Sequence, residues 1–264
     1  MKLGFGVDAL LQRARGGGAL RMGLVRLSEP EWLQPGPDVA ARGQAFADYP
    51  EGVQLLPEGE AACRELAALL GVEGGLLEAA AARHEDMCIV ARDPALGDFR
   101  LVGAAVAWPS DWSPRDKIGL TVRELHAPIH GYEAQLAEGV DRFMATLKAG
   151  AIFGRSNWFV TPTDAMRWVA APPERAFAHV TCRNAGETLF VRCERQTLRR
   201  LPRSGAIVFT IGVYVEPLAR LSDANLARLR DAVGALIDGE GERRGAGAYA
   251  DALIGYADRR EEMA

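Results

Sequence analysis

FVRCERQTLRRLPRSGAIVFTIGVYV, Phe190 to Val215, sets apolar, β-branched runs on either side of a polar turn. Leu189 to Thr197 and Ala206 to Val215 predict a pair of strands around the turn from Pro202 to Gly205. Five arginines and one glutamate fall between Arg192 and Arg203. Strand alternation places Arg192, Glu194 and Gln196 on one face, and Cys193, Arg195 and Thr197 on the other. Guanidinium groups are costly to bury unless each finds a partner. Two readings stay open. The run is a solvated hairpin whose Glu–Arg pair contributes little, or its arginines face an acidic ligand group that suits bidentate guanidinium.

Working outward, residues 60–82 are rich in Ala, Leu and Glu and predict two helices broken at Gly74 and Gly75. DMCIVARD and FRLVGAAVAWPS predict two strands joined by a turn through Pro94 and Gly97. Ser113 and Pro114 open a short helix. Residues 133–148 place Leu136, Val140, Phe143 and Leu147 on one helical stripe. NWFVTPT and AFAHVTCRN are expected as strands. A helix over about 222–238 is expected, capped by Ser222 and ended by Gly239, with the last residues frayed or forming one more helix. Strands cluster late, with helices before and after, so the expected class is α+β with an antiparallel sheet. The chain has neither a G-x-G-x-x-G between strand and helix nor a P-loop, so the common nucleotide-binding readings lose most of their weight.

With 264 residues, 48% of them hydrophobic, the chain can bury a core without disulfide staples. A net charge of −4 argues against a general nucleic-acid binder. Cys63, Cys88, Cys182 and Cys193 lack the close spacing of zinc or iron–sulfur ligands, and suggest a reducing compartment. Asp8 interrupts the apolar N-terminal run and no A-x-A cleavage site follows, so residues 1–20 are expected to be a mobile leader loosened by Gly16, Gly17 and Gly18. No segment reaches the roughly 20 apolar residues of a membrane span, and a cytoplasmic location is expected.

Four histidines are available for chemistry. His126 and His130 stand in LHAPIHGY, where Pro128 disfavours a helical metal pair. Each is either a polar loop residue or, on a loop stiffened by proline, an axial ligand for haem iron. His84, beside Glu85 and Asp86 at a strand start, is expected as a surface or capping residue. His179 is expected on a strand. Trp158 in RSNWFV is either a core residue or a pocket wall, and Trp108 and Trp112 among prolines suggest a structural corner.

Taken in order, WPSDWSPRDKIG, LHAPIHGY, RSNW and above all ERQTLRRLPRSGAIVFTIGVY resemble the haem-dependent oxidative N-demethylase family, from about Met22 to about Leu218. The resemblance implies a PAS-like antiparallel sheet enclosing a haem b pocket, with additional N- and C-terminal helices. It implies a single domain over 21–264 with a PAS-like core over about 84–218. The implied activity is oxygen-dependent demethylation of a small secondary amine such as dimethylamine, a monooxygenase-type reaction releasing formaldehyde. Carried over residue by residue, His126 becomes the iron ligand, whereas His130 stands where the family is expected to have proline. Glu194 and Arg195 match the family's Glu-Arg pair and are the catalytic candidates, while Arg192, Arg155 and Asn157 are candidates for contact with the cofactor. Because no flavin, NADPH or iron–sulfur motif is visible, electrons are expected from a separate flavin or iron–sulfur reductase partner. A PAS-like haem or ligand sensor without catalysis, and a non-catalytic subunit, are the alternatives.

Overall fold

In a computed structural model of the chain, residues 3–17, 19–37, 39–169, 172–236 and 239–263 are described. Seven strands are formed: β1 (Val25–Leu27), β2 (Val53–Leu55), β3 (Asp86–Arg92), β4 (Phe99–Ala105), β5 (Ile152–Thr161), β6 (Phe190–Arg200) and β7 (Ile207–Pro217). They make one open antiparallel sheet in the order β1-β5-β6-β7-β3-β4-β2. The expected α+β class holds.

The chain divides into two compact units. One comprises Leu20–Arg155 and Arg195–Gly212. Its core gathers Cys88, Val90, Phe99, Leu101, Val122, Met144, Leu147, Leu198 and Ile207. β3 lies between β4 and β7, with Met87 opposite Ala105 on one side and Thr210 on the other, and is buried over its first five residues. That burial explains its near-continuous apolar run. Two tight turns close the long hairpins. Asp93 Oδ1 accepts from the Ala95 and Leu96 amides at 2.8 and 3.1 Å. Glu65, itself buried, accepts from the Arg203 and Ser204 amides at 2.7 Å each and so pins the β6–β7 turn.

The other unit comprises Met1–Ala19, Ser156–Glu194 and Val213–Ala264. Its helix Asp223–Gly234 is capped by Ser222, as expected, but stops short of Gly239; Ile237 and Asp238 lie outside the described residues. The helix Ala250–Glu262 packs on it. AFAHVTCRN is not a strand. Pro173 opens a short helix, Pro173–Ala176, and His179 is exposed in the turn that follows. Proline at the first helical position supplies a suitable φ and needs no amide partner there, which outweighs the β-branched residues downstream.

The N-terminal segment also departs from expectation. Val7–Leu11 is a helix whose Val7, Leu10 and Leu11 are buried together with Leu3. Those positions recur at helical spacing, so this short apolar run covers part of a core. Asp8 receives the Asn225 Nδ2 hydrogen bond at 2.8 Å. A Cβ at Gly16 would lie 1.7 Å from the Ala232 carbonyl oxygen, so glycine here permits close backbone approach. Lys2 and Gly18 lie outside the described residues. Replacing Leu10 by Ala is expected to cost about 2–5 kcal/mol in urea unfolding; a change within about 0.5 kcal/mol, typical of surface positions, would return the segment to a loose leader.

Candidate functional site

His126 ends the helix Val122–His126. Thr121 and Glu124 form a reciprocal cap at its start, Glu124 Oε2 accepting from the Thr121 amide at 2.8 Å and Thr121 Oγ1 from the Glu124 amide at 3.2 Å. Val122 anchors the helix in the core. The imidazole Nδ1 lies 2.7 Å from the Val122 carbonyl oxygen. A carbonyl only accepts, so Nδ1 carries the proton and Nε2 holds the lone pair. Burial lowers the His126 pKa, opposed by the Val122 bond and reinforced by the positive charges of Arg155 and Lys117. The ring is therefore held neutral, as a metal ligand must be.

The proline-containing loop then doubles back. The Ile129 amide donates to the His126 carbonyl at 2.9 Å, and the Tyr132 amide to the Ile129 carbonyl at 3.1 Å. Gly131 takes φ +76° in this turn, and a Cβ there would meet Gln135 Nε2 at 2.6 Å. The result lays the Tyr132 ring on the His126 ring, with centroids 4.7 Å apart and planes at 10°. Tyr132 is buried and its hydroxyl has no hydrogen-bond partner among the described residues. Burial pushes its pKa up to about 12. A π-helical turn, Glu133–Ala137, follows directly and leads into the helix Glu138–Thr146. Arg123 ties the two helices through Asp141, at 2.6 and 2.8 Å, and through Glu133. His130 is exposed.

A second cluster in the same unit was not foreseen from sequence. Arg42, fully buried, donates to the carbonyls of Ala80, His84 and Glu85 at 3.0, 2.9 and 3.0 Å and to Asp86 Oδ1 at 2.9 Å. Asp86 also accepts from the Ala107 and Trp108 amides. The guanidinium lies 4.6 Å from the Trp108 ring centroid, which makes the tryptophan a structural corner as expected. His84, expected at the surface, is buried edge-on to Trp108 at 5.5 Å. The strand start it precedes is covered by Arg42, which no local sequence signal announces. Glu85 is fully buried; its Oε1 accepts from the Gln34 amide at 2.8 Å, and Oε2 has no partner among the described residues. Burial raises its pKa despite that amide and the nearby charges of Arg195 and Arg42.

The β6 arginines are not a solvated hairpin. Arg195, fully buried, donates to the carbonyls of Trp32, at 2.8 Å, and Glu31. Arg199 pairs with Glu29 at 2.5 Å and stacks 4.2 Å over Trp32. Arg200 reaches the carbonyls of Leu147 and Gly205 at 2.6 and 2.8 Å and that of Met144. Arg203 alone of this group is largely exposed, 3.8 Å from Glu65. Arg155, half-buried on β5, belongs to this unit with His126 and Arg195.

Asn157, Arg192 and Glu194 belong to the other unit. Asn157 is half-buried on β5. Arg192 and Glu194 are buried on β6, and Arg192 Nη1 donates to the Ala165 carbonyl at 3.3 Å. Burial, with the charges of Glu194 and Glu216 adding, pushes the intervening Cys193 thiol up and makes it unreactive. Trp158 is buried beneath Arg244, whose guanidinium lies 4.6 Å from its ring centroid, so it serves as a core residue of this unit.

The family described as haem-dependent oxidative N-demethylase, alpha subunit-like, matches residues 75–254. The chain belongs to that family. Every residue proposed from sequence for the site, from His126 to Arg195, falls within the match. The description of an alpha subunit implies further subunits. Among the described residues no helix is long and apolar enough to cross a membrane. All four cysteines are free.

The Glu85 environment has a pH signature. A carboxyl whose pKa is raised in the folded chain binds its proton more tightly there than when unfolded, so stability falls as pH rises above about 4.5, the ordinary value. The slope from one proton is at most about 1.4 kcal/mol per pH unit. Glu85→Gln should flatten this slope in urea unfolding measured across a pH series; an unchanged slope would reject the assignment. Arg42→Ala, which strands Asp86, should cost about 3–5 kcal/mol in the same assay.

Proposed function

We propose that this member of the N-demethylase family holds a b-type haem through His126 and carries out oxygen-dependent demethylation of a small secondary amine. The supporting observation is the His126 tautomer: a neutral imidazole with Nδ1–H spent on the Val122 carbonyl leaves Nε2 as the nitrogen that would bind the iron. The donor chemistry fits haem iron, which needs one nitrogen in a fixed direction. His130 makes no comparable arrangement and is exposed. The strand order supports a PAS-like reading of the sheet, since the long strands β3 to β7 stand in it as second, first, fifth, fourth and third.

Haem, when bound, supplies dioxygen reduction: an N-methylamine, dioxygen, two electrons and two protons give the shorter amine, formaldehyde and water. The chain's own residues bind, orient and supply protons. His126 would anchor the cofactor, and Arg155, in the same unit, is the guanidinium that would face its acidic tails. Arg195 is spent on the Glu31 and Trp32 carbonyls, which makes it a positioning group that holds that segment against β6. Glu194, which matches the family's Glu-Arg pair by sequence, is the candidate proton carrier, and Arg192 and Asn157 are the further polar candidates that the resemblance names. Electrons come from a separate flavin or iron–sulfur reductase, in keeping with the family's alpha-subunit description.

Haem titration tests the ligand. The purified protein should develop a Soret band at one equivalent, and His126→Ala should abolish or displace it; an unchanged band in that variant rejects His126. With dimethylamine, oxygen and a reductase present, formaldehyde should accumulate, and Glu194→Gln should slow it by about 10²–10⁴-fold, the range for a proton-transfer group. A stoichiometric Soret band with no formaldehyde would make the chain a haem binder without this catalysis. Turnover with NADPH alone would remove the need for a reductase.

A further inference from the structure

We propose that Tyr132 is a positioning residue that fixes the plane of the His126 imidazole, so that Nε2 points one way before any cofactor arrives. The assignment rests on reading His126 as the axial ligand. A side-chain imidazole retains two torsions, and a single hydrogen bond at Nδ1 leaves the ring free to tilt about that bond. The Val122 carbonyl supplies the bond, at 2.7 Å. Tyr132 supplies the missing restraint as a face-to-face contact, 4.7 Å between centroids and only 10° from parallel.

The local chain is organised to deliver that contact. Pro128 ends the helix, the turn from His126 to Ile129 reverses the chain, and Gly131 takes a positive φ that brings Tyr132 back over the ring. The π-helical turn that starts at Glu133 continues from Tyr132 and differs from the α-helix after it, as such turns often do beside functional groups. A buried tyrosine normally finds a partner for its hydroxyl, and the Tyr132 hydroxyl has none among the described residues. The ring, rather than the hydroxyl, is therefore what the site uses. This separates Tyr132 from a buried tyrosine kept for a hydrogen bond.

Two substitutions separate ring from hydroxyl. Tyr132→Phe keeps the stacking face, and Tyr132→Leu removes it. The first readout is the pair of His126 ring-nitrogen shifts at fixed pH in the cofactor-free protein. Wild type and Tyr132→Phe should both show the Nδ1–H tautomer, and Tyr132→Leu should show shifts averaged between tautomers. The second readout is haem titration followed by electron paramagnetic resonance of the ferric protein. Tyr132→Phe should bind within about twofold of wild type, while Tyr132→Leu should lose about tenfold or more and broaden the g-anisotropy, as loss of an orienting contact behind a ligand does. A structural role alone would lower the melting temperature of Tyr132→Leu without changing tautomer or g-values, and that outcome overturns the proposal. So does a Tyr132→Phe variant that fails both readouts. If His126→Ala binds haem as wild type does, the ligand reading falls, and the tautomer shifts alone decide whether Tyr132 orients the ring.

Discussion

Positive charge taken out of water has to be answered group by group, and in this chain the answer comes mostly from main-chain carbonyls. Arg42 meets three of them and one carboxylate; Arg195 meets two; Arg200 meets three. Each of these guanidiniums spans two segments far apart in sequence, so it acts as a staple that a leucine at the same place could not supply. A hydrophobic replacement would relieve the desolvation cost but leave several buried carbonyls without donors, each worth roughly 1–3 kcal/mol. The dense charge on β6 is thereby tied to the segments that flank the sheet, and only Arg203 at the turn extends to solvent.

That arrangement decides what the site can draw on. Arg195, Arg199 and Arg200 are engaged with the Glu29–Trp32 stretch and with the end of the helix Glu138–Thr146. A guanidinium so engaged contributes field more than direct contact. The charge of Arg155 likewise acts at a distance: it reaches His126 and helps to hold the imidazole neutral.

Much of the scaffold was legible in sequence because it is carried by local signals. The apolar runs within Asp86–Arg92 and Phe99–Ala105, the Gly74–Gly75 break, Ser113–Pro114 and the Ser222 cap each encode an element within a few residues. His126 was singled out as one of two histidines around Pro128, and the structure adds its Nδ1 bond to the Val122 carbonyl. What escaped depends on contacts distant in the chain. Nothing in AARGQAFAD says that Arg42 will sit under Asp86, forty-four residues away. Nothing in the first twenty residues announces Asn225 as the partner of Asp8. Tyr132 lay within a motif already singled out, yet its stacking follows from the positive φ at Gly131, and a backbone angle is not readable from spacing. AFAHVTCRN failed for the opposite reason: local β propensity was outvoted by the helix that Pro173, three residues before it, opens.

Two buried glutamates show how the surroundings set the chemistry of otherwise equal groups. Burial pushes the carboxyl pKa of both upward. Glu65 accepts from two backbone amides, with Ser204 and Arg203 adding to them, and its pKa ends below the ordinary value. Glu85 accepts from one amide and ends above it. The difference is the number of donors aimed at the charged form, since each hydrogen bond to a carboxylate offsets part of its lost hydration. His126 falls under the same rule with the sign reversed. It has a single acceptor at Nδ1, too little to hold a buried imidazolium beside Arg155, so the ring stays neutral. A neutral ring with one nitrogen already engaged presents its other nitrogen as a base. The same desolvation that gives Glu85 a pH-dependent cost thus leaves His126 in the form that can bind iron.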